Sequence, residues 1–92
     1  MNRHNVYDIL LSSRSIDERQ FMLNQVAVGD EEPVLSECDL SGRDISGLDL
    51  SHFRIENVNF RGSLCRCTKF PPLVDCLFDD AEATRAIFST LR

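Results

Sequence analysis

Cys38–Phe60 reads CDLSGRDISGLDLSHFRIENVNF. Within it Leu40, Ile45, Leu50, Ile55 and Phe60 recur at a constant interval of five. A helix brings side chains to one face every 3.6 residues and a strand every 2, so neither element explains that interval. The pattern calls for a repeat, and a repeat has to be traced to its ends before any other reading is made.

From Pro33 the chain divides into PVLSE, CDLSG, RDISG, LDLSH, FRIEN, VNFRG, SLCRC and TKFPP. The middle residues are Leu35, Leu40, Ile45, Leu50, Ile55, Phe60, Cys65 and Phe70, all apolar. The place before the anchor holds Asp39, Asp44, Asp49, Arg54, Asn59 and Lys69, which marks it as outward. Two places before the anchor stand Cys38, Leu48, Phe53, Val58, Ser63 and Thr68, mostly small or apolar, with Arg43 as the exception. Continuing in fives would bury Asp75, at a cost on the order of several kcal/mol. Moving the frame back by two gives PPLVD, CLFDD, AEATR and AIFST, with anchors Leu73, Phe78, Ala83 and Phe88. Pro71 and Pro72 sit at the slip, where a proline pair can bend the chain without losing an important N–H.

CDLSG, LDLSH and VNFRG, with AEATR and AIFST as weaker matches, make the chain resemble the pentapeptide repeat family. The family pattern is a small residue, then Asp or Asn, then Leu or Phe, then two polar residues. The resemblance implies a mainly β fold: a right-handed quadrilateral β-helix of about three coils over residues 33–92. Each unit would turn a corner, with the anchor and the residue two before it pointing inward. Coils would stack at the β spacing of roughly 4.8 Å, giving a stub about 14 Å tall. Leu35 would lie over Ile55, Leu40 over Phe60, Ile45 over Cys65 and Leu50 over Phe70.

A solenoid has open ends that need covers. Residues 1–32 supply one, an N-terminal helical cap and linker. Asn5–Leu11 places Val6, Ile9 and Leu10 on one helical face, and Ser12-Ser13 interrupts it. Ser15-Ile16-Asp17-Glu18 is a capping box. It predicts a second helix over Ile16–Val28, with Ile16, Leu23, Val26 and Ala27 inward and Gly29 as the stop. Asp30-Glu31-Glu32-Pro33 reads as a linker. At the far end two readings stay open. Residues 80–91 form a helix with Ala83, Ile87 and Leu91 on one face, or they continue the coil. In the second case Phe88 and Leu91 are candidates for a homodimer contact through the C-terminal end.

The 92 residues carry a net charge of −5, with neither half basic, which argues against direct nucleic-acid binding. No apolar run is long enough for a membrane span, and the first residues lack the apolar core of a signal peptide, so the expected location is cytoplasmic. Cys38, Cys65, Cys67 and Cys76 lack zinc spacing relative to one another and to His4 and His52; they read as free, small apolar residues. No metal or cofactor is expected. No nucleophile is placed beside a base, so no enzyme is expected either.

What remains is binding. The expected function is a non-catalytic protein-binding module, in its sharpest form a small inhibitor or regulator that docks on a DNA-associated protein machine. The resemblance supplies that form, because some members of the family mimic DNA in shape and charge. Candidate partner-binding residues are the acids Asp30, Glu31, Glu32, Asp79, Asp80 and Glu82, and the outward apolar residues Leu64 and Ile87. The alternative is a structural, oligomerisation or targeting module that docks through an apolar face. Asp39, Asp44 and Asp49 have a plainer role available, which is to accept hydrogen bonds from nearby backbone at the corners.

Overall fold

A computed structural model describes residues 6–29 and 33–89. Among these residues two helices come first, α1 over Val6–Leu11 and α2 over Ile16–Gly29. Five strands follow: β1 (Val34–Asp39), β2 (Arg54–Asn59), β3 (Lys69–Phe70), β4 (Leu73–Val74) and β5 (Ile87–Phe88).

All strand pairing is parallel. Val34 pairs with Arg54, Leu35 with Ile55 and Asp39 with Asn59, an offset of twenty residues. Isolated bridges join Asp44 to Leu64 and Asp49 to Lys69 at the same offset. The chain thus returns above itself after a first circuit of twenty residues. The next offset is eighteen: Ile55 pairs with Leu73, Asn59 with Leu77, Leu64 with Glu82 and Phe70 with Phe88. The missing two residues fall between Phe70 and Leu73, at Pro71-Pro72. The result is three stacked layers, residues 33–53, 54–70 and 71–89.

Side chains at the fivefold interval fill the interior. Leu35, Leu40, Ile45, Leu50, Ile55, Phe60, Cys65 and Phe70 are buried, as are Leu48, Phe53, Val58, Ser63 and Thr68 two places earlier. Cys38 is half-buried and Arg43 faces out. Phe60 stacks on Phe78 at 4.8 Å and Phe70 on Phe88 at 5.0 Å, while Phe60 and Phe70 meet edge to face at 5.6 Å. Each buried Leu or Phe contributes roughly 1.5–3 kcal/mol by leaving water. Within the layers two buried polar side chains have partners: the Thr68 hydroxyl donates to the Ile45 carbonyl at 2.8 Å, and Ser63 Oγ meets Cys65 Sγ at 3.0 Å.

The corners explain the interval. At seven of them the N–H of the residue three places after an anchor donates back to that anchor's carbonyl, as Arg43 does to Leu40 and Ser63 to Phe60. The residue two places after the anchor takes positive φ, as at Gly42 (70°), Gly62 (67°), Cys67 (60°) and Arg85 (61°). A four-residue turn with φ above zero at its third position is the type II pattern, which favours glycine there. Asp39, Asp44, Asp49 and Asn59 each accept the backbone N–H two residues on, at 2.9–3.0 Å.

The helices cover the first layer. Val6, Ile9, Leu10 and Leu23 are buried, and Val26 and Ala27 pack against the core. Ile16 differs from its expected inward place: it is 42% exposed, lying over the rim of the layer beside Gly47. The capping box forms, with Glu18 N–H donating to Ser15 Oγ at 3.2 Å and Ser15 N–H donating to Glu18 Oε1 at 3.4 Å. At the other end, residues 80–89 hold turns, a bridge to Glu82 and β5, and no helix. Residues 90 and 91 of the expected helix, with Leu91, lie outside the described residues. Phe88, expected inward, is 47% exposed because no described layer lies beyond it.

Candidate functional site

The outward side chains stand in columns fixed by the register. One column runs Asp44, Leu64, Glu82; another runs Asp49, Lys69, Ile87; a third runs Asp39, Asn59, Leu77. Charge changes sign from layer to layer. The first layer carries Glu37, Asp39, Asp44 and Asp49 against Arg43; the second carries Arg54, Arg61, Arg66 and Lys69 against Glu56; the third carries Asp75, Asp79, Asp80 and Glu82 against Arg85. The second layer is therefore a basic belt between two acidic ones. Arg61 reaches Asp79 at 3.4 Å, and Arg66 Nε donates to Glu82 at 3.0 Å.

The expected partner-binding residues separate on this frame. Asp79, Asp80, Glu82 and Ile87 belong to the third layer, and Leu64 lies in register with Glu82. Leu64 is 37% and Ile87 55% exposed, so neither is covered by the helices. Asp79 and Glu82 are partly neutralised by their arginines, whereas Asp75 and Asp80 have no ion pair among the described residues. Asp30, Glu31 and Glu32 lie outside the described residues.

The aspartates of the first layer are occupied by the fold. Ser41, through its hydroxyl and backbone N–H, holds the Asp39 carboxyl below the ordinary carboxylate value, and Ser46 does so for Asp44, its backbone N–H first. For Asp49 partial burial pushes upward, but hydrogen bonds from Ser51 prevail and the net direction is down. A charged oxygen spent on a turn is poorly placed to imitate a phosphate.

Cys67 is exposed, whereas Cys65 is buried and Cys38 and Cys76 are half-buried. Burial pushes Cys38, Cys65 and Cys76 above the ordinary thiol value, which keeps them protonated at neutral pH. Among the described residues no group of three or more His, Cys, Asp or Glu could hold a metal ion. No helix of the described residues is long and apolar enough to cross a membrane.

Two sets of residues escaped the sequence reading. Tyr7, Arg19 and Gln20 seal the lower edge of the first layer. Tyr7 donates to the Asp39 carbonyl at 3.2 Å and Arg19 Nη1 to the Asp44 carbonyl at 2.9 Å. Gln20 brackets Asp49, accepting its N–H at 2.7 Å and donating to its carbonyl at 3.3 Å. Helical periodicity marks apolar faces and gives no signal for such polar contacts. The second set is Val74 and Leu77, both exposed on the third layer. Leu77 had a signal: it stands at the outward place before Phe78, as Ile87 does before Phe88. Comparisons with family models, with curated proteins and with solved structures found no match to this chain.

Proposed function

We propose that the chain is a non-catalytic protein-binding module of the pentapeptide-repeat type, its three layers being the coils of a right-handed quadrilateral β-helix with an N-terminal helical cap. It acts in the cytoplasm by docking on another protein and regulates or inhibits that protein's work. A partner that handles DNA, with a basic surface, is the sharpest form of this reading. The observation that carries it is the third layer, where Asp75, Asp79, Asp80 and Glu82 stand against one base, Arg85. Side chains held by a hydrogen-bonded ladder lose little freedom on binding, so a surface of this size can still hold a partner.

Extended mimicry of DNA has less support. Acids do not build a column, since Asn59 follows Asp39 and Lys69 follows Asp49. The second reading, a structural, oligomerisation or targeting module, draws on the exposure of Leu64 and Ile87. A C-terminal homodimer belongs to that reading.

Affinity capture from a bacterial lysate, read by mass spectrometry, tests both. Under the first reading Asp80→Lys abolishes capture and raised salt weakens it. Under the second, Leu64→Asp or Ile87→Asp abolishes it and salt has little effect. A specific partner retained equally by all three variants would remove the third layer from the account.

A further inference from the structure

The two ends of the stack differ in one physical respect. At the lower end, Tyr7, Arg19 and Gln20 occupy the backbone groups that the first layer leaves open. At the upper end no described residue does the same. Within the stack, the N–H groups of Phe60 and Gly62 donate to the carbonyls of Leu77 and Asp79, and the Val58 carbonyl accepts from Leu77. One layer up, the equivalent groups are the N–H of Phe78 and Asp80 and the carbonyl of Cys76. Among the described residues, none of these three has a backbone partner. Open ladder groups of this kind are a template for another strand.

We propose that Cys76–Phe78, the straight run between the corners at Asp75 and Asp80, is a β-augmentation site, which takes an extended segment of a partner protein in which apolar residues alternate with Lys or Arg. The inference rests on the docking reading above and names its surface and its ligand chemistry. Backbone pairing supplies affinity in this mode, and alternate side chains supply specificity. An inward apolar side chain lands on Phe78, which is only half-buried and meets Phe88 edge to face at 5.7 Å. Outward cations meet Asp75 and Asp80, the carboxylates without an ion pair among the described residues. The stack itself sets the precedent for that sign, since its basic second layer lies between acidic neighbours. A second copy of the chain is disfavoured as occupant, because it would bring Asp75, Asp79 and Asp80 against their own kind.

The test uses the full chain and three synthetic peptides: leucine alternating with lysine, leucine alternating with glutamate, and the lysine peptide with its backbone N-methylated. Binding is read by fluorescence anisotropy. The lysine peptide is expected to bind and the other two to fail. Asp75→Lys and Asp80→Lys should each weaken binding about tenfold, while Glu37→Lys, the same charge change on the first layer, leaves it unaltered. Equal binding of the N-methylated peptide, or equal weakening by Glu37→Lys, would reduce the effect to general charge attraction and overturn the site. So would sedimentation showing a dimer of the chain that excludes the peptide. A lysate partner retained by Asp75→Lys and Asp80→Lys but lost with Leu64→Asp would remove this edge and leave the docking reading standing. Loss of all specific capture by the unaltered chain would sink the docking reading itself.

Discussion

Among the described residues, six other than glycine hold positive φ: Glu37, Asn57, Cys67, Asp75, Asp80 and Arg85. Left-handed backbone costs a residue with a Cβ about 1–2 kcal/mol, so these corners carry strain that Gly42, Gly47 and Gly62 avoid. Arg85→Gly should therefore stabilise the chain by about 0.5–1 kcal/mol, seen as a higher urea midpoint at unchanged slope. Gly47→Ala should do the reverse, by about 1 kcal/mol. Space is not the reason, since the nearest atom to the added methyl, Ile16 Cδ1, would be 3.6 Å away. Asp39, Asp44 and Asp49 give a second prediction at this scale. Their folded values lie below the ordinary 3.8, so the unfolded chain takes up protons first as pH falls. The stability they contribute is fully present above 3.8 and is lost as pH drops through their lowered folded values. Asparagine makes the same turn contact at Asn59. The triple variant D39N/D44N/D49N should thus keep the fold and flatten the acid limb of a stability-against-pH curve.

At the scale of elements, the helical cap is a hydrogen-bonding device as well as an apolar lid. Gln20→Ala leaves the N–H and carbonyl of Asp49 without their side-chain partner. The expected loss is about 1–3 kcal/mol, with faster amide hydrogen exchange at Asp49 and an unaltered rate deep in the second layer. Arg19 is less clean, because its Nε is buried without a hydrogen-bond partner even as Nη1 serves Asp44. The proline pair acts at the same scale. It shortens one circuit from twenty residues to eighteen and so keeps Asp75 at an exposed corner. Inserting two residues after Pro72 lengthens that circuit to twenty with Leu73 still at the anchor and Asp75 still at its corner, so the fold should survive, read as an unaltered far-UV circular dichroism spectrum, with a loss of stability below about 1 kcal/mol.

Across the whole molecule, the charge alternation between layers contributes to stacking. Each exposed pair contributes only about 0–1 kcal/mol, and side chains of Arg61, Asp79, Arg66 and Glu82 are all more than half exposed. Reversing the belt with R61E/R66E sets three acidic layers against one another. Thermal denaturation at low salt should show a loss of about 1–2 kcal/mol, much of it recovered near 1 M salt, where the Debye length is about 3 Å.

The sequence by itself determined which residues are interior from Leu35 to Phe70, and it placed the frame slip at Pro71-Pro72. Both are legible because a corner every five residues leaves an apolar imprint at that interval, and a charged residue at an anchor is too costly to hide. It also showed the capping box and the buried face of α1, which are local periodic signals. Only the tertiary structure decided what lies across from what. Arg19 and Gln20 look like ordinary surface residues of a helix until the open edge of the first layer is set against them. Asp79 and Glu82 look like free acids until the register puts Arg61 and Arg66 one layer below. Phe88 has the sequence of an interior anchor, yet it stands half in water, because burial depends on whether another layer follows and no residue encodes that alone.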